Sequence, residues 1–226
     1  MMILKLILIF LVCSILPSGA QVTHDSSPSS QTKGIVWSVD DLISKKANGI
    51  RIAGKPKSVD CKYGKAVLFN GSTDGIFLDQ MPLAAMDQFT IEMILCPYSG
   101  GNFEQRFFHC GEVKDSRVLL ELRSTPVGWY FDAFVKSGLQ QKALIEPTLL
   151  HPLDQYAHVA FVVKDGYQAT YINGEKELES SIGFAPITVG ITSIGVRQNE
   201  QSWFRGEIHK IRISPKVLTP DQFLKY

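Results

Sequence analysis

Two tight-turn dipeptides, Asp165-Gly166 and Asn173-Gly174, constrain this chain more than any other feature. Each is flanked by runs that read as strands. Tyr156 to Lys164 precedes the first, Gln168 to Ile172 lies between them, and Glu175 to Ile182 follows the second. Asp-Gly and Asn-Gly supply the positive φ angles that a short hairpin turn requires, so three successive antiparallel strands are predicted. Thr188 to Arg197 and Trp203 to Ser214 follow as strands, and Thr219 to Phe223 reads as a short, acidic-capped turn.

The upstream part has the same grammar. Gly34 to Asp40 opens the ordered region, Asp40 to Ser44 makes one helical turn, and Gly49 to Gly54 is a short alternating strand ended by Gly54-Lys55-Pro56. Ala66 to Asn70 and Ile76 to Asp79 are strands joined by the glycine-closed loop Gly71 to Gly75. Asn70-Gly71-Ser72 fits a glycosylation sequon and equally a plain turn. Phe89 to Cys96 puts Thr90, Glu92 and Ile94 on one face and Phe89, Ile91, Met93 and Leu95 on the other. Gln105 to Cys110, Val118 to Ser124 and Gly128 to Lys136 follow, and Leu139 to Leu150 reads as a looser crossing segment. No helical period of useful length and no repeat occurs. About a dozen short strands with frequent glycines predict an all-β fold, a two-sheet antiparallel sandwich of the jelly-roll kind.

Residues 1–20 are set apart by an almost wholly apolar run, Ile7 to Leu16, with Lys5 as the only charge and small residues at Gly19-Ala20. They are expected to be a secretory signal peptide cleaved before Gln21. The run is shorter than the roughly 20 residues that span a bilayer, so no membrane span is expected after cleavage. Residues 21–33, rich in Ser, Pro and Gln, read as a flexible leader, and 34–226 as one domain. The expected location is extracytoplasmic, periplasmic or extracellular. Losing Lys5 takes Lys+Arg from 23 to 22 against 22 Asp+Glu, so the mature chain has no basic surplus to draw nucleic acid. Cys61, Cys96 and Cys110 remain, an odd number. Cys96 and Cys110 flank a hairpin read around Gly100-Gly101, which leaves open one bridge or two buried small side chains. No spacing suggests zinc.

In this order the segments resemble the LamG-like jelly-roll domains of the concanavalin A-like lectin/glucanase superfamily. Gly64 to Ile76 is similar to that family's "G-x-A-hydrophobic-x-F-D-G-x-x-D" stretch, and Phe89-Thr90-Ile91-Glu92 to its "F-T-I-E/S" strand. Tyr156-Ala157-His158-Val159-Ala160 with Tyr171-Ile172-Asn173-Gly174 is similar to "W-x-H-V-A … Y-V-N/D-G". Ser193-Ile194-Gly195, Phe204 to Ile208 and Arg212 to Phe223 resemble the closing motifs. The resemblance implies a jelly roll, in a superfamily that includes lectins, carbohydrate-binding modules, adhesion modules, hydrolases and lyases. Two acids that the family often places near a structural calcium are Asn70 and His209 here, while Asp74 remains. No cofactor is expected, and a structural calcium is left open but in doubt, because such a site needs several hard oxygen ligands.

The candidate chemistry lies on three consecutive strands. Gln105 and His109 alternate on the first, Glu121 and Arg123 on the second, and Tyr130 and Asp132 on the third, beside Trp129. Glu104 and Arg106 add charge at the start of the first. An imidazole, two carboxylates and an arginine on neighbouring strands suit either general acid/base work or hydrogen bonding to sugar hydroxyls, with Trp129 or Trp203 stacking on a sugar face. The plain alternative is a solvated sheet face of cross-strand ion pairs. Arg197-Gln198-Asn199 with Trp203 forms a polar, aromatic loop of the kind that carries recognition. His158 and Trp37 read as core. No carboxylate run of the glucanase type, nucleophile elbow, phosphate-binding loop or zinc-protease motif occurs.

The reading is a secreted carbohydrate-binding domain with ligand residues His109, Glu121, Arg123, Trp129, Asp132, Arg197 and Trp203. The alternatives are a polysaccharide hydrolase or lyase, with His109 and Glu121 or Asp132 as the acid/base pair, and a protein-interaction or adhesion module.

Overall fold

The computed structural model describes residues 34–45 and 47–225. The signal and leader of the sequence reading lie outside the described residues. Among the described residues fifteen strands form two antiparallel sheets. The first runs, in spatial order, β13 (Glu175–Ser180), β12 (Tyr167–Ile172), β11 (Ala157–Lys164), β6 (Gln88–Pro97), β15 (Arg205–Ser214), β4 (Gly64–Asn70) and β3 (Lys57–Cys61), with β1 (Ile35–Ser38) also paired to β15. The second runs β10 (Gln140–Ile145), β9 (Gly128–Ser137), β8 (Arg117–Thr125), β7 (Glu104–Gly111), β14 (Ile191–Ile194), β5 (Gly75–Leu78) and β2 (Ile50–Ala53). A short helix, α1 (Val39–Ser44), and a 3-10 turn at Pro220–Gln222 complete it. Among the described residues no helix is long and apolar enough to cross a membrane.

The predicted hairpins are present. Gly166 (φ 75°), Asn173 (φ 52°) and Gly174 (φ 87°) take the left-handed conformations that turn β11 into β12 and β12 into β13. Alternation then sends one side of each strand inward. Phe89, Ile91, Met93 and Leu95 of β6 meet Val118, Leu120 and Leu122 of β8 in one core. Phe69, Phe204, Phe107 and Phe131 form a chain of ring contacts across that core, with successive centroids 6.2, 6.0 and 6.0 Å apart. Each such side chain, taken fully out of water, stabilises the fold by roughly 1.5–3 kcal/mol.

Three features differ from the sequence reading. Lys57–Cys61 is a strand, although it shows almost no apolar alternation; it is an edge strand paired on one side only. The segment read as a loose crossing contains β10, another edge strand with only Leu144 buried. Cys96 and Cys110 do not flank a hairpin, because β6 lies in the first sheet and β7 in the second. Both thiols are free, and burial pushes each up to about 12. Cys110 instead packs its sulfur 3.4 Å from that of Met81.

The outer face of the first sheet is closed by the chain's own end. Thr90 Oγ1 donates to the Lys216 carbonyl (2.7 Å) and accepts from Leu218 N–H (3.0 Å). Glu92 Oε1 accepts from Leu224 N–H (2.7 Å), and Phe223 stacks beside His158 and Tyr171. This strap buries Thr90, Glu92 and Ala160. Among the described residues the second sheet has no such strap, and charged groups line a hollow on its outer face. One close approach there depends on glycine. At Gly190 (φ 127°) a Cβ would sit 2.1 Å from the Gly111 carbonyl carbon, so only glycine admits β14 alongside β7 at that point.

Candidate functional site

The register of β7, β8 and β9 builds the site. Arg106 lies opposite Glu121, and Glu121 opposite Asp132; in the next row Glu104 lies opposite Arg123, and Arg123 opposite Tyr130. Arg106 Nε donates to Glu121 Oε1 (2.8 Å), and its Nη1 donates to Glu104 Oε2 (2.9 Å) and to the Ser202 hydroxyl. Arg123 Nη1 donates to Glu121 Oε2 (3.1 Å), and its Nη2 pairs with Asp132 Oδ2 (2.6 Å). Glu121 thus spends one oxygen on each arginine. Glu121 and Asp132 are 3 % and 4 % exposed, so these are buried ion pairs in which removal of one partner is costly.

Asp132 shows two opposed influences. It touches Arg123, yet its pKa is pushed up to about 6. Burial is the main cause, and Glu121 directly across the ladder is the second. Both causes disfavour the ionised form of Asp132, and the pairing with Arg123 does not offset them.

A bulge decides what else faces outward. Strand alternation placed Gln105 and His109 together. In the structure the register of β7 against β8 slips between Arg106 and Phe108. Phe107 and Phe108 both enter the core, and the parity of the strand inverts. Gln105 therefore points inward, donating to the Asn102 carbonyl and accepting from Arg205 N–H. Arg106, not Gln105, joins the charged cluster.

His109 lies on the outer side but is covered. The loop from Gly195 to Phe204 folds over it. The Gln198 N–H donates to Nδ1 (3.2 Å), and Nε2–H donates to the Glu112 carbonyl (3.1 Å). His109 is fully buried, and burial pushes its pKa down to about 4. Both ring nitrogens are occupied, and none of the contacts reaches Glu121 or Asp132. The acid/base pair expected of His109 is not assembled. Gln198 Nε2 ties the loop down through the Gly111 (3.1 Å) and Ile191 (2.7 Å) carbonyls, and the loop carries Glu200 (φ 58°) and Ser202 (φ 56°) in left-handed strain. Gln198→Ala is expected to lower stability by about 1–2 kcal/mol and to speed amide exchange across 195–204. Unchanged exchange there would show that the loop is held by something else.

Trp129 is a correction. It lies opposite Ser124 on the inward rows, is fully buried, and donates its Nε1–H to the Pro152 carbonyl (3.1 Å) against the His151 ring (5.1 Å). It offers no face to a ligand. Trp203 is half-buried. A Cβ on Gly75 would meet it at 3.3 Å and Phe77 at 3.4 Å, so the two rings pack close together, with Phe77 itself buried. The Arg51 guanidinium lies 3.7 Å above Phe77 and pairs with Glu200 (3.0 Å).

Arg197 reaches in from the loop, its Nη2 donating to the Val113 carbonyl (3.1 Å). Arg117, absent from the sequence reading, lies across from it; its Nη1 donates to the Asp115 carbonyl (2.7 Å), and it sits 4.9 Å over Phe134. It was legible in principle, because Arg117, Leu119, Glu121 and Arg123 alternate on β8. Together Arg106, Arg117, Glu121, Arg123, Asp132 and Arg197 line a hollow of about 300 Å³ floored by Leu119, Phe134 and Ala143.

A wider hollow of about 630 Å³ opens elsewhere, between Lys55, Lys57, Leu68, Tyr98 and Arg205. Its acid and phenol are committed to the fold. Asp74 accepts from Lys55 N–H (2.8 Å) and Asn70 N–H (3.1 Å), and Tyr98 donates to Glu207. The neighbouring polar groups are likewise engaged within the fold. Asn70 Oδ1 accepts backbone N–H groups from Ser72, Thr73 and Asp74, while His209 Nδ1–H donates to the Lys65 carbonyl (2.6 Å).

Residues 70–223 match a laminin-G family model described as Concanavalin A-like lectin/glucanases superfamily. No curated protein sequence matches the chain. Among solved structures, domain 4 of a GH43 extracellular arabinanase from Geobacillus stearothermophilus, in complex with arabinotriose, is 24 % identical with a TM-score of 0.63; the match covers 85 % of this chain and 95 % of that one. A pentraxin from Limulus polyphemus is 22 % identical (TM-score 0.57; 70 % and 78 % covered). The binding domain of botulinum neurotoxin serotype D is 16 % identical (TM-score 0.57), with 76 % of this chain and 44 % of that one covered. At these identities the likeness speaks for the fold.

Proposed function

The chain belongs to the concanavalin A-like lectin/glucanases superfamily, and we propose that it binds carbohydrate outside the cytoplasm, through the outer face of its second sheet. The observation that carries this reading is the hollow itself: a dense set of charged donors and acceptors, held by cross-strand pairing, over an apolar floor. Sugars present this same combination of hydroxyl edges and apolar faces. Trp203, half-buried on the loop that carries Arg197, supplies an aromatic ring near the same face. The arabinotriose complex of a domain with this fold is consistent with such a role.

The test is a glycan and polysaccharide panel on the purified chain, read for binding and for released products together. Arg123→Ala and Trp203→Ala are each expected to weaken binding at least about tenfold, equivalent to about 1.4 kcal/mol. Trp129→Phe is expected to leave affinity unchanged, because that ring faces the core. Loss of binding in Trp129→Phe alone would place the ligand elsewhere.

One observation favours a second reading, a polysaccharide-active enzyme. Asp132 keeps its proton up to about pH 6 and lines the hollow, as a general acid would need. New reducing or unsaturated ends, lost in Asp132→Asn, would establish it. Against it, both Glu121 oxygens are taken by arginines. Neither binding nor products on any glycan would point to a protein-interaction module.

A further inference from the structure

The four arginines of the hollow are not equivalent. Arg106 and Arg123 are saturated by Glu104, Glu121 and Asp132. Arg117 and Arg197 form no ion pair among the described residues. Each has one Nη on a backbone carbonyl, Asp115 O for Arg117 and Val113 O for Arg197. In each the Nε–H is buried without an acceptor. Asp115, two residues before Arg117, is engaged by Lys136 at 3.3 Å. Two guanidiniums therefore face one small hollow, under-bonded and without a direct ion-pair partner among the described residues, Glu121 and Asp115 acting on Arg117 only at longer range.

Such an arrangement costs the fold free energy. Buried donors without acceptors destabilise the fold, and like charges in a partly desolvated site repel. Burial first and Arg197 second hold Arg117 below the usual guanidinium range, against the opposite pull of Glu121 and Asp115. Unpaired charge of one sign in a hollow is what a site built for the opposite charge looks like before its ligand arrives. A guanidinium fork matches the two oxygens of a carboxylate or sulfate, and the Nη groups not used by the carbonyls are free to receive them. The Phe134 and Leu119 floor suits the apolar face of a sugar ring next to such a group.

We infer that Arg117 and Arg197 form a subsite for an acidic sugar, gripping the carboxylate of a uronate or the sulfate of a sulfated residue. This rests on the carbohydrate reading above and names the ligand class of the same hollow.

The experiment uses titration calorimetry on the full chain with four kinds of probe. Pectate and alginate oligosaccharides supply carboxylates, and their carboxyl-reduced forms are the neutral counterparts. Dextran sulfate oligosaccharides supply sulfate, and dextran is their counterpart. An acidic probe is expected to bind at least tenfold more tightly than its counterpart, and the arm that shows this identifies the group. Arg117→Gln and Arg197→Gln are expected to abolish that preference. Arg197→Lys keeps the charge but not the fork and is expected to retain only part of it. Lys55→Gln/Lys57→Gln, in the wider hollow, is expected to leave it intact. Melting temperatures of the Arg→Gln variants are expected to stay level or rise, because a strained like charge is removed; a variant that does not fold leaves Arg197→Lys to decide.

If neutral and acidic probes bind equally in wild type, the acidic subsite is wrong while the carbohydrate reading stands. If the preference vanishes only in Lys55→Gln/Lys57→Gln, the anion sits in the other hollow and the proposal fails. If no probe of either kind binds, both readings fall.

Discussion

Glu92→Ala is expected to destabilise the fold by about 3–5 kcal/mol. Glu92 is fully buried between β6 and the C-terminal strap. Its Oε1 accepts from Leu224 N–H and meets His158 Nε2 at 3.0 Å, and its Oε2 pairs with Arg212. Arg212 in turn donates to the Gln222 carbonyl (2.7 Å). One carboxylate therefore ties a strand, its two neighbours in the sheet and the end of the chain. Alanine would strand the Arg212 charge and orphan the Leu224 amide at once. Glu92→Gln, which keeps an acceptor for Leu224, is expected to cost less. Urea unfolding at pH 7 reads both. A loss below about 1 kcal/mol in Glu92→Ala would mean that the strap is held by its apolar contacts, Phe223 above all.

The second large effect is a hidden pH dependence in the site. His109 titrates at about 4 in the folded chain against 6.5 for a free imidazole. Between those values the folded state binds fewer protons than the unfolded state. Stability that is complete above pH 6.5 is therefore lost as pH falls toward 4, on the order of 3 kcal/mol at 1.36 kcal/mol per unit. Asp132 is displaced the other way, to about 6 from 3.8. There the folded state binds more protons, so stability increases as pH falls from 6 toward 4, by a similar amount. The two contributions offset each other in the wild type. Asp132→Asn should expose the His109 loss, making the protein more acid-sensitive between pH 6.5 and 4. His109→Gln should do the reverse. Urea midpoints taken across that range, each as a difference from wild type, isolate the two groups from the other carboxylates. Curves that run parallel to wild type in both variants would rule this account out.

How much of this was legible follows from the range of the interactions involved. The turns at Gly166 and Asn173-Gly174 are local. Positive φ is a property of two residues, and the residue types announce it. The alternation of Leu119, Glu121 and Arg123 is equally local, and it brought Glu121, Arg123 and Asp132 together on one face, as the register of β8 and β9 has it. The edge strands β3 and β10 were harder, because a strand with one partner and few buried side chains carries little alternation.

The site itself turned on events with no signature in residue type. The bulge at Phe107 inserts one residue, and a single insertion reverses the facing of Gln105 and Arg106 relative to His109. Trp129 could be assigned a side only by knowing which face of β9 the other sheet covers. His109 and Arg197 depend on where a ten-residue loop lands, a matter of the Gln198 hydrogen bonds to two separate strands. By itself, then, the amino-acid order determined an all-β sandwich, its hairpins and the strands that bear the charges, because these arise from backbone preferences and period-two alternation between near neighbours. Only the tertiary structure decided which of those charges meet, which are covered and which stay unpaired, because parity, sheet membership and loop placement are set by packing between segments far apart in the chain.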